Sequence, residues 1–227
     1  MKKTIFLFCF IILICNNINA QDLDFTFGFK GGTNLTWAKA KGGAKVNNEL
    51  IPNATLGFIA EFYFTDHLAI GTGFNVNWAN AKYGFNGIIE PSGYQMPNDH
   101  THTNRIFKGF NYEIPLKFKF KTGIYGPWNI YAEAGISIHY FTIMRAKDDY
   151  TFPENIYYNL NFHDVSSQYN NIQKSIFSNI GCEYAIKNSN RIFFQIGYNY
   201  MLSNMFSERP GFTYYYRSIG IVAGFMF

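Results

Sequence analysis

Hydrophobic residues recur at every second position over eight stretches of the chain. Such alternation puts one set of side chains on each face of a β-strand. The first stretch sets Leu23, Phe25, Phe27 and Phe29 against Asp24, Thr26, Gly28 and Lys30, and continues through Leu35 and Trp37. The second sets Leu56, Phe58, Ala60, Phe62 and Phe64 against Thr55, Gly57, Ile59, Glu61 and Tyr63. In the third, Leu68, Ile70, Phe74, Val76 and Trp78 oppose Ala69, Gly71, Gly73, Asn75 and Asn77. The fourth, Phe110 to Phe120, alternates with Asn111, Glu113, Pro115, Lys117 and Lys119. The fifth, Trp128 to Tyr140, alternates with Asn129, Tyr131, Glu133, Gly135, Ser137 and His139. Weaker alternation runs from Ile176 to Ile186, where Asn179, Gly181 and Glu183 form the polar set. Strong alternation returns from Ile192 to Leu202 and from Ile219 to the terminal Phe227.

A soluble sandwich and a membrane barrel both use alternating strands, and three features favour the barrel. The second face is rich in Gly, Asn, Ser and Glu. Glycine is a poor choice for a strand face in water, whereas a narrow lumen needs small and polar residues. Connections alternate in length: Thr65–His67, Lys121–Pro127 and Lys187–Asn190 are short, and Ala38–Asn53, Ala79–Arg105 and Thr142–Lys174 are long. Outer-membrane barrels have short periplasmic turns and long external loops. Aromatics also mark both ends of the apolar face. Trp37, Trp78, Tyr140 and Tyr200 lie near the long connections, and Phe25, Phe64, Phe120, Trp128 and Phe225 near the short ones. At ~3.3 Å per residue and ~40° tilt, the span from 68 to 78 rises roughly 25 Å, the height of a barrel's apolar band. The pattern therefore predicts an all-β, eight-stranded antiparallel up-and-down transmembrane β-barrel with both termini at the short-turn side. Lys108 and Arg217 fall on the apolar phase, but toward the long connections, where a charge costs little.

Composition narrows the class further. The chain is 20% aromatic and 15% charged, with a mean hydropathy of −0.11. Disordered chains lack aromatics, and helical membrane bundles need apolar runs of about 20 residues. Lys2 and Lys3, the apolar run Ile5–Ile14 and the polar residues before Ala20 read as an export signal. We expect cleavage after Ala20, leaving residues 21–227 as one barrel domain. The signal holds two of the 19 basic residues and none of the 15 acidic ones, so the mature chain carries +2. That is too little charge to imply a nucleic-acid partner. Cys9 and Cys15 leave with the signal, and the remaining Cys182 has no partner for an intramolecular disulfide.

Three segments resemble the small PorT-like outer-membrane β-barrels of Bacteroidota: Gly28–Leu35, Tyr112–Phe120 with its central Glu-Ile-Pro-Leu, and Tyr131–Gly135. The resemblance spans the mature chain. It implies a single barrel in the bacterial outer membrane, surrounded by lipid and inserted by the barrel-assembly machinery. Founding members of that family take part in type IX secretion, so an accessory role in secretion is an alternative function. Phe227, with Phe225 behind it on the same phase, resembles the terminal aromatic signal that the assembly machinery reads.

Glu61, Glu113, Glu133 and Glu183 all project inward by phase, as do Lys30, Lys117 and Lys119. An eight-stranded interior is just wide enough to be filled by side chains. Buried carboxylates there need cationic or hydrogen-bonding partners. We therefore expect a polar lumen network in which Glu113 and Glu133 pair with Lys117, Lys30 or another inward base. Ser137 and His139 share one face, which raises a lipid-modifying barrel enzyme as a further alternative, although no third orienting carboxylate is placed. Asp99-His100-Thr101-His102 offers two imidazoles without fixed companions, which is weak ground for a metal site. No cofactor motif is present. The connection Thr142–Lys174 is rich in Tyr, Asn and Asp, including Tyr150, Tyr157, Tyr158 and Tyr169. Such a surface suits contact with a protein or glycan, or a cap over the barrel mouth. The leading reading is a non-enzymatic outer-membrane protein with a structural or interaction role through its long loops.

Overall fold

Each alternating stretch forms one long strand. The computed structural model describes residues 24–41, 47–86, 102–123, 126–152, 156–186, 190–205 and 213–227. The expected export signal and the Asp99–Thr101 part of the histidine motif lie outside the described residues. The strands are β1 (Asp24–Lys41), β2 (Asn47–Glu49), β3 (Ile51–Tyr63), β4 (Leu68–Asn86), β5 (His102–Lys121), β6 (Trp128–Thr151), β7 (Tyr157–Asp164), β8 (Ile172–Ala185), β9 (Arg191–Met201) and β10 (Thr213–Met226). Eight of them pair in a closed antiparallel ring: β1 with β3, then β4, β5, β6, β8, β9 and β10, which returns to β1. The short β2 pairs with β4, and β7 pairs with β6, both outside the ring.

The ring is staggered. Direct cross-strand partners lead from Thr26 through Glu61, Gly71, Lys117, Gly135, Phe177, Asn199 and Ser218 back to β1 at Thr36. The circuit thus climbs ten positions along β1, which tilts the strands and sets the width of the interior. Pro115 has no N–H to give, and the ladder between β4 and β5 misses the pairs at Gly73 and Phe74, although Thr72 Oγ1 donates to the Pro115 carbonyl at 2.9 Å.

Burial is inverted relative to a protein in water. Phe118 is 68% exposed and Phe25 57%, whereas Glu61 and Glu183 are fully buried. Lipid is the solvent that suits such an outer face. Cys182 lies on the outward phase, as do Lys108 and Arg217.

The long connections are not loops throughout. β1 runs to Lys41, β4 to Asn86 and β6 to Thr151, and β5 starts at His102. Much of Thr142–Lys174, expected as a loop, is a hairpin of β6 and β7 followed by a 3-10 turn at Ser166–Gln168. The ladder carries on above the apolar band, where the outward face has no need of apolar residues, so the alternation fades while the strands do not. A bulge at Thr142 leaves that residue unpaired between Phe141–Asn111 and Ile143–Phe110. It moves the inward phase of β6 from His139 and Phe141 to Met144, Ala146 and Asp148. The short end is tighter: Phe64 N donates to Leu68 O at 2.9 Å, and Gly126 takes φ +65°, which favours glycine.

The ring closes at a seam of phenylalanines. Phe227 N donates to Phe27 O at 2.8 Å. Its ring stacks on Phe27 at 5.4 Å and meets Phe225 edge-on at 4.8 Å. Each such pair contributes about 0.5–1.5 kcal/mol. Deleting Phe227 should therefore lower the yield of heat-modifiable barrel more than Phe225→Leu does. Wild-type yields from both variants would show that neither closure nor assembly needs the last residue.

Candidate functional site

The inward side chains of five strands form one chain of alternating charge. Lys117 Nζ on β5 bonds Glu133 on β6 at 2.5 Å and Glu61 on β3 at 2.7 Å. Lys119, two residues along on the same face, bonds the other oxygen of Glu61 at 2.8 Å and also pairs with Glu183 on β8. Glu183 in turn faces Arg191 Nη1 on β9 at 3.6 Å. The order is Glu133, Lys117, Glu61, Lys119, Glu183, Arg191. Strands β3 and β8 stand opposite each other in the ring, so Lys119 braces the lumen across its width. Neutral donors add to two of the carboxylates, Tyr63 OH giving to Glu61 Oε2 at 2.8 Å and Asn179 Nδ2 to Glu133 Oε2 at 3.0 Å, whereas Glu183 Oε2 has only the Arg191 charge to face. Lys119 also lies 4.3 Å from the Tyr131 ring centre. Gly71 leaves room for this lysine, because a Cβ at that position would stand 2.5 Å from Lys117 Cε.

Glu113 departs from the expected pairing with Lys117 or Lys30. It accepts hydrogen bonds from Ser137 Oγ at 2.7 Å and from Asn75 and Asn77 Nδ2 at 3.0 Å each. It sits higher in the lumen than the charge chain, beyond the reach of Lys117. Lys30 forms no ion pair among the described residues. It lines a cavity of about 110 Å³ with Glu113, Lys117 and Glu133. A second cavity of about 80 Å³ shares Asn34, Asn77 and Glu113 with the first and is also lined by His139. Each has room for a few water molecules.

Ser137 and His139 do not meet. Ser137 is bonded to Glu113, while His139 shares its Nε2 with Ser175 Oγ at 2.9 Å and its Nδ1 with Asn111 Oδ1 at 3.3 Å. All of these residues except the half-buried Glu113 are buried.

Above them the mouth is closed by an apolar cap. Phe107, Phe141, Met144, Val165, Tyr169, Met201, Met205 and Tyr216 pack together there with Ala38, Ala81, Tyr83 and Ala146. The cap encloses an ion pair that no alternation or motif marks: Arg105 Nε and Nη2 each bond Asp148 at 2.6 Å, and both side chains are wholly buried. Arg105 Nη1 then reaches Gln168 at 3.0 Å and Tyr169 OH at 3.2 Å. Segment 165–170 is thereby pinned over the barrel. Tyr169 belongs to the cap and the buried Tyr150 donates to Asp148 Oδ2 at 3.3 Å, whereas Tyr157 and Tyr158 stay exposed on β7. Asp164, at the foot of β7, takes hydrogen bonds from Ser166 Oγ and N, which hold its carboxyl below its usual range. That support is present above the unfolded-state value and is lost as pH falls through the lowered one.

The charge chain yields a stability test. Removing one partner of a buried pair strands the other, at a cost of ~3–5 kcal/mol, less where water reaches it. Glu133→Ala should lower the unfolding midpoint in urea, and Glu133→Gln should lower it less. Lys119→Ala, which takes one cation from both Glu61 and Glu183, should lower it most. Indistinguishable midpoints for all three would remove the chain from the stability of the barrel.

Comparison with known proteins gives the same class. Residues 19–207 match the model of the outer membrane protein beta-barrel domain. No curated protein matches the sequence. Similar solved structures include the outer membrane protein OprG of Pseudomonas aeruginosa, at 12% identity over 90% of this chain and 97% of that one, TM-score 0.45. The attachment invasion locus protein Ail of Yersinia pestis is 12% identical over 90% and 99%, TM-score 0.41. The outer membrane protease OmpT of Escherichia coli is 8% identical over 93% and 99%, TM-score 0.42. With the family model covering most of its length and eight strands closed into a lipid-facing ring, the chain belongs to the outer membrane protein beta-barrel domain family and is a protein of the bacterial outer membrane.

Proposed function

We propose that this is a closed, non-enzymatic barrel whose surface above the cap is its working part. The observation that carries this is the division of the tyrosines. Tyr169 is buried in the cap and Tyr150 beside its ion pair, while Tyr157 at 75% and Tyr158 at 48% exposure stand beside Ile156 and Phe162. β7 pairs with β6 and lies off the ring path, so it forms an edge of the extended sheet. Exposed aromatics on an edge strand suit a protein or glycan partner. The long-connection end then faces outward, and the short turns face the periplasm. The filled lumen supports a structural role for Lys30, Glu61, Glu113, Lys117, Glu133 and Glu183. The partners are outer-membrane lipid, the assembly machinery that reads Phe225 and Phe227, and the ligand of the exposed hairpin.

The PorT-like kinship fits this reading in one respect. The three resembling segments lie on β1, β5 and β6 and supply Lys30, Glu113, Lys117, Lys119 and Glu133. A secretion accessory would use the same outer surface, and co-purification from native membrane separates it from a general adhesion or structural role. The enzyme alternative loses its dyad, because Ser137 and His139 are bonded to other residues.

Single cysteines at Tyr157 and Asp66, in a Cys182→Ser background, test the orientation. An impermeant reagent should label Tyr157→Cys in intact cells and leave Asp66→Cys unlabelled; the reverse result would invert the barrel. Ser137→Ala and His139→Ala should leave the acylation of lipid A unchanged. An acylation step present in the wild type and lost in both folded variants would establish the enzyme instead.

A further inference from the structure

Among the described residues, the outward face carries cations at one rim only. At the short-turn rim its residues include Phe25, Phe62, Phe64, Phe120, Trp128 and Phe227, all at least two-fifths exposed. At the long-connection rim, Lys39, Lys108, Arg145, Lys174 and Arg217 occupy outward positions just beyond or within the aromatic girdle. None of these five forms a salt bridge among the described residues. The cations farther from the apolar band do: Lys82 pairs with Glu49 at 2.7 Å and Lys147 with Asp149 at 3.9 Å.

The five cations fall into two groups. Lys108 and Arg145 are direct cross-strand partners, with Asp164 opposite Arg145 and the Phe162 ring 4.5 Å from Lys108. Local groups therefore answer part of their charge. Lys39, Lys174 and Arg217 stand on β1, β8 and β10, and among the described residues no carboxylate projects outward from these strands at this rim. Arg217 lies between its cross-strand partners Trp37 and Tyr200. Its guanidinium carbon is 4.9 Å from the Tyr200 ring centre, and its Nε is buried with no hydrogen-bond partner. Lys174 flanks β9 from the other side, bonded through its carbonyl to Leu202 N at 2.7 Å. Two strand spacings and a two-residue offset separate their positions by roughly 12 Å.

An unpaired arginine with an unsatisfied buried N–H, held on an aromatic face at the edge of a hydrocarbon band, has the geometry for an oxyanion that lies in the membrane surface. Arg matches phosphate through its planar fork, and Lys adds a point charge. We propose that Lys39, Lys174 and Arg217 bind the phosphate groups of an anionic glycolipid in the leaflet around this rim, with its acyl chains lying on Ile176, Tyr198 and Ile219. The site rests on the outward placement of this rim proposed above, for that leaflet carries the phosphorylated glycolipid. The one-sided charge explains itself on this assignment: the opposite leaflet offers no such ligand, and the opposite rim has no outward cation among the described residues.

The full chain in neutral detergent micelles, titrated with bisphosphorylated lipid A and read by native mass spectrometry, tests the site. The wild type should retain the lipid, and dephosphorylated lipid A should not be retained. Lys174→Gln and Arg217→Gln should each weaken retention ~5-fold, the effect of about one surface cation. The control Lys82→Gln should not weaken it, and heat-modifiable migration should show every variant folded. Phosphatidylglycerol or inorganic phosphate at equal concentration should fail to displace the bound lipid. Equal retention of the dephosphorylated lipid, undiminished retention by a Lys39→Gln/Lys174→Gln/Arg217→Gln variant, or displacement by either competitor would overturn the proposal. Micelles have no inside or outside, so this result is independent of the cysteine labelling that tests orientation.

Discussion

A strand in hydrocarbon must give every backbone N–H and C=O to another strand, and only a closed ring does this without leaving an edge. Everything else in this molecule follows from closing eight strands with a stagger of ten. Closure fixes the bore. A bore of this size must be filled by side chains, and the inward side chains sit beside a narrow polar interior that lipid cannot reach. The Phe27–Phe227 seam is where this constraint is met last in the sequence: the final residue supplies both a ladder bond and a ring.

Filling the bore with charge demands complementarity. An isolated carboxylate in such a site is far too costly, and pairing repays that cost only when the remaining lone pairs are also satisfied. The lower lumen meets this with alternation: each of Lys117, Lys119 and Glu61 lies between two opposite charges. The middle uses amides and a hydroxyl around Glu113 instead. The top abandons polarity for an apolar cap around one bidentate Arg–Asp pair. Three solutions to one packing problem are stacked along the same axis.

The sequence carried the phase but not the stagger. Period-2 alternation was enough to put Glu61, Glu113, Glu133, Glu183, Lys30, Lys117 and Lys119 inside, because lipid enforces the outward set. Which acid meets which base depends on register across strands that are distant in sequence, such as Glu61 with Lys117. Hence phase alone pairs Glu113 with an inward base, whereas register gives it Ser137, Asn75 and Asn77. Arg191 and Tyr63 sit on the inward phase, two positions from Phe193 and Glu61, so the alternation itself places them in the lumen. The cap was less legible for a physical reason. Above the bilayer both faces of a strand meet polar surroundings, so Arg105 and Asp148 carry no alternation to mark them. The bulge at Thr142 then reverses the phase of β6. Nothing in the composition of Thr142–Lys174 separates the buried Tyr169 from the exposed Tyr157.

The two closures differ in what holds them. The charge chain ties β3, β5, β6, β8 and β9 together from inside the membrane, and drawing any one link away strands a neighbour in a place without water. The cap is held over the mouth by segment 165–170, whose main bonds run from Val165 N to Met144 O, from Asn170 N to Met205 O, and from Arg105 to the side chains of Gln168 and Tyr169. None of these is a rung of the barrel ladder. Segment 165–170 is continuous with β7, the strand that presents Tyr157 and Tyr158. The cap therefore joins the exposed hairpin to the barrel mouth, while the ion chain below fills the bore.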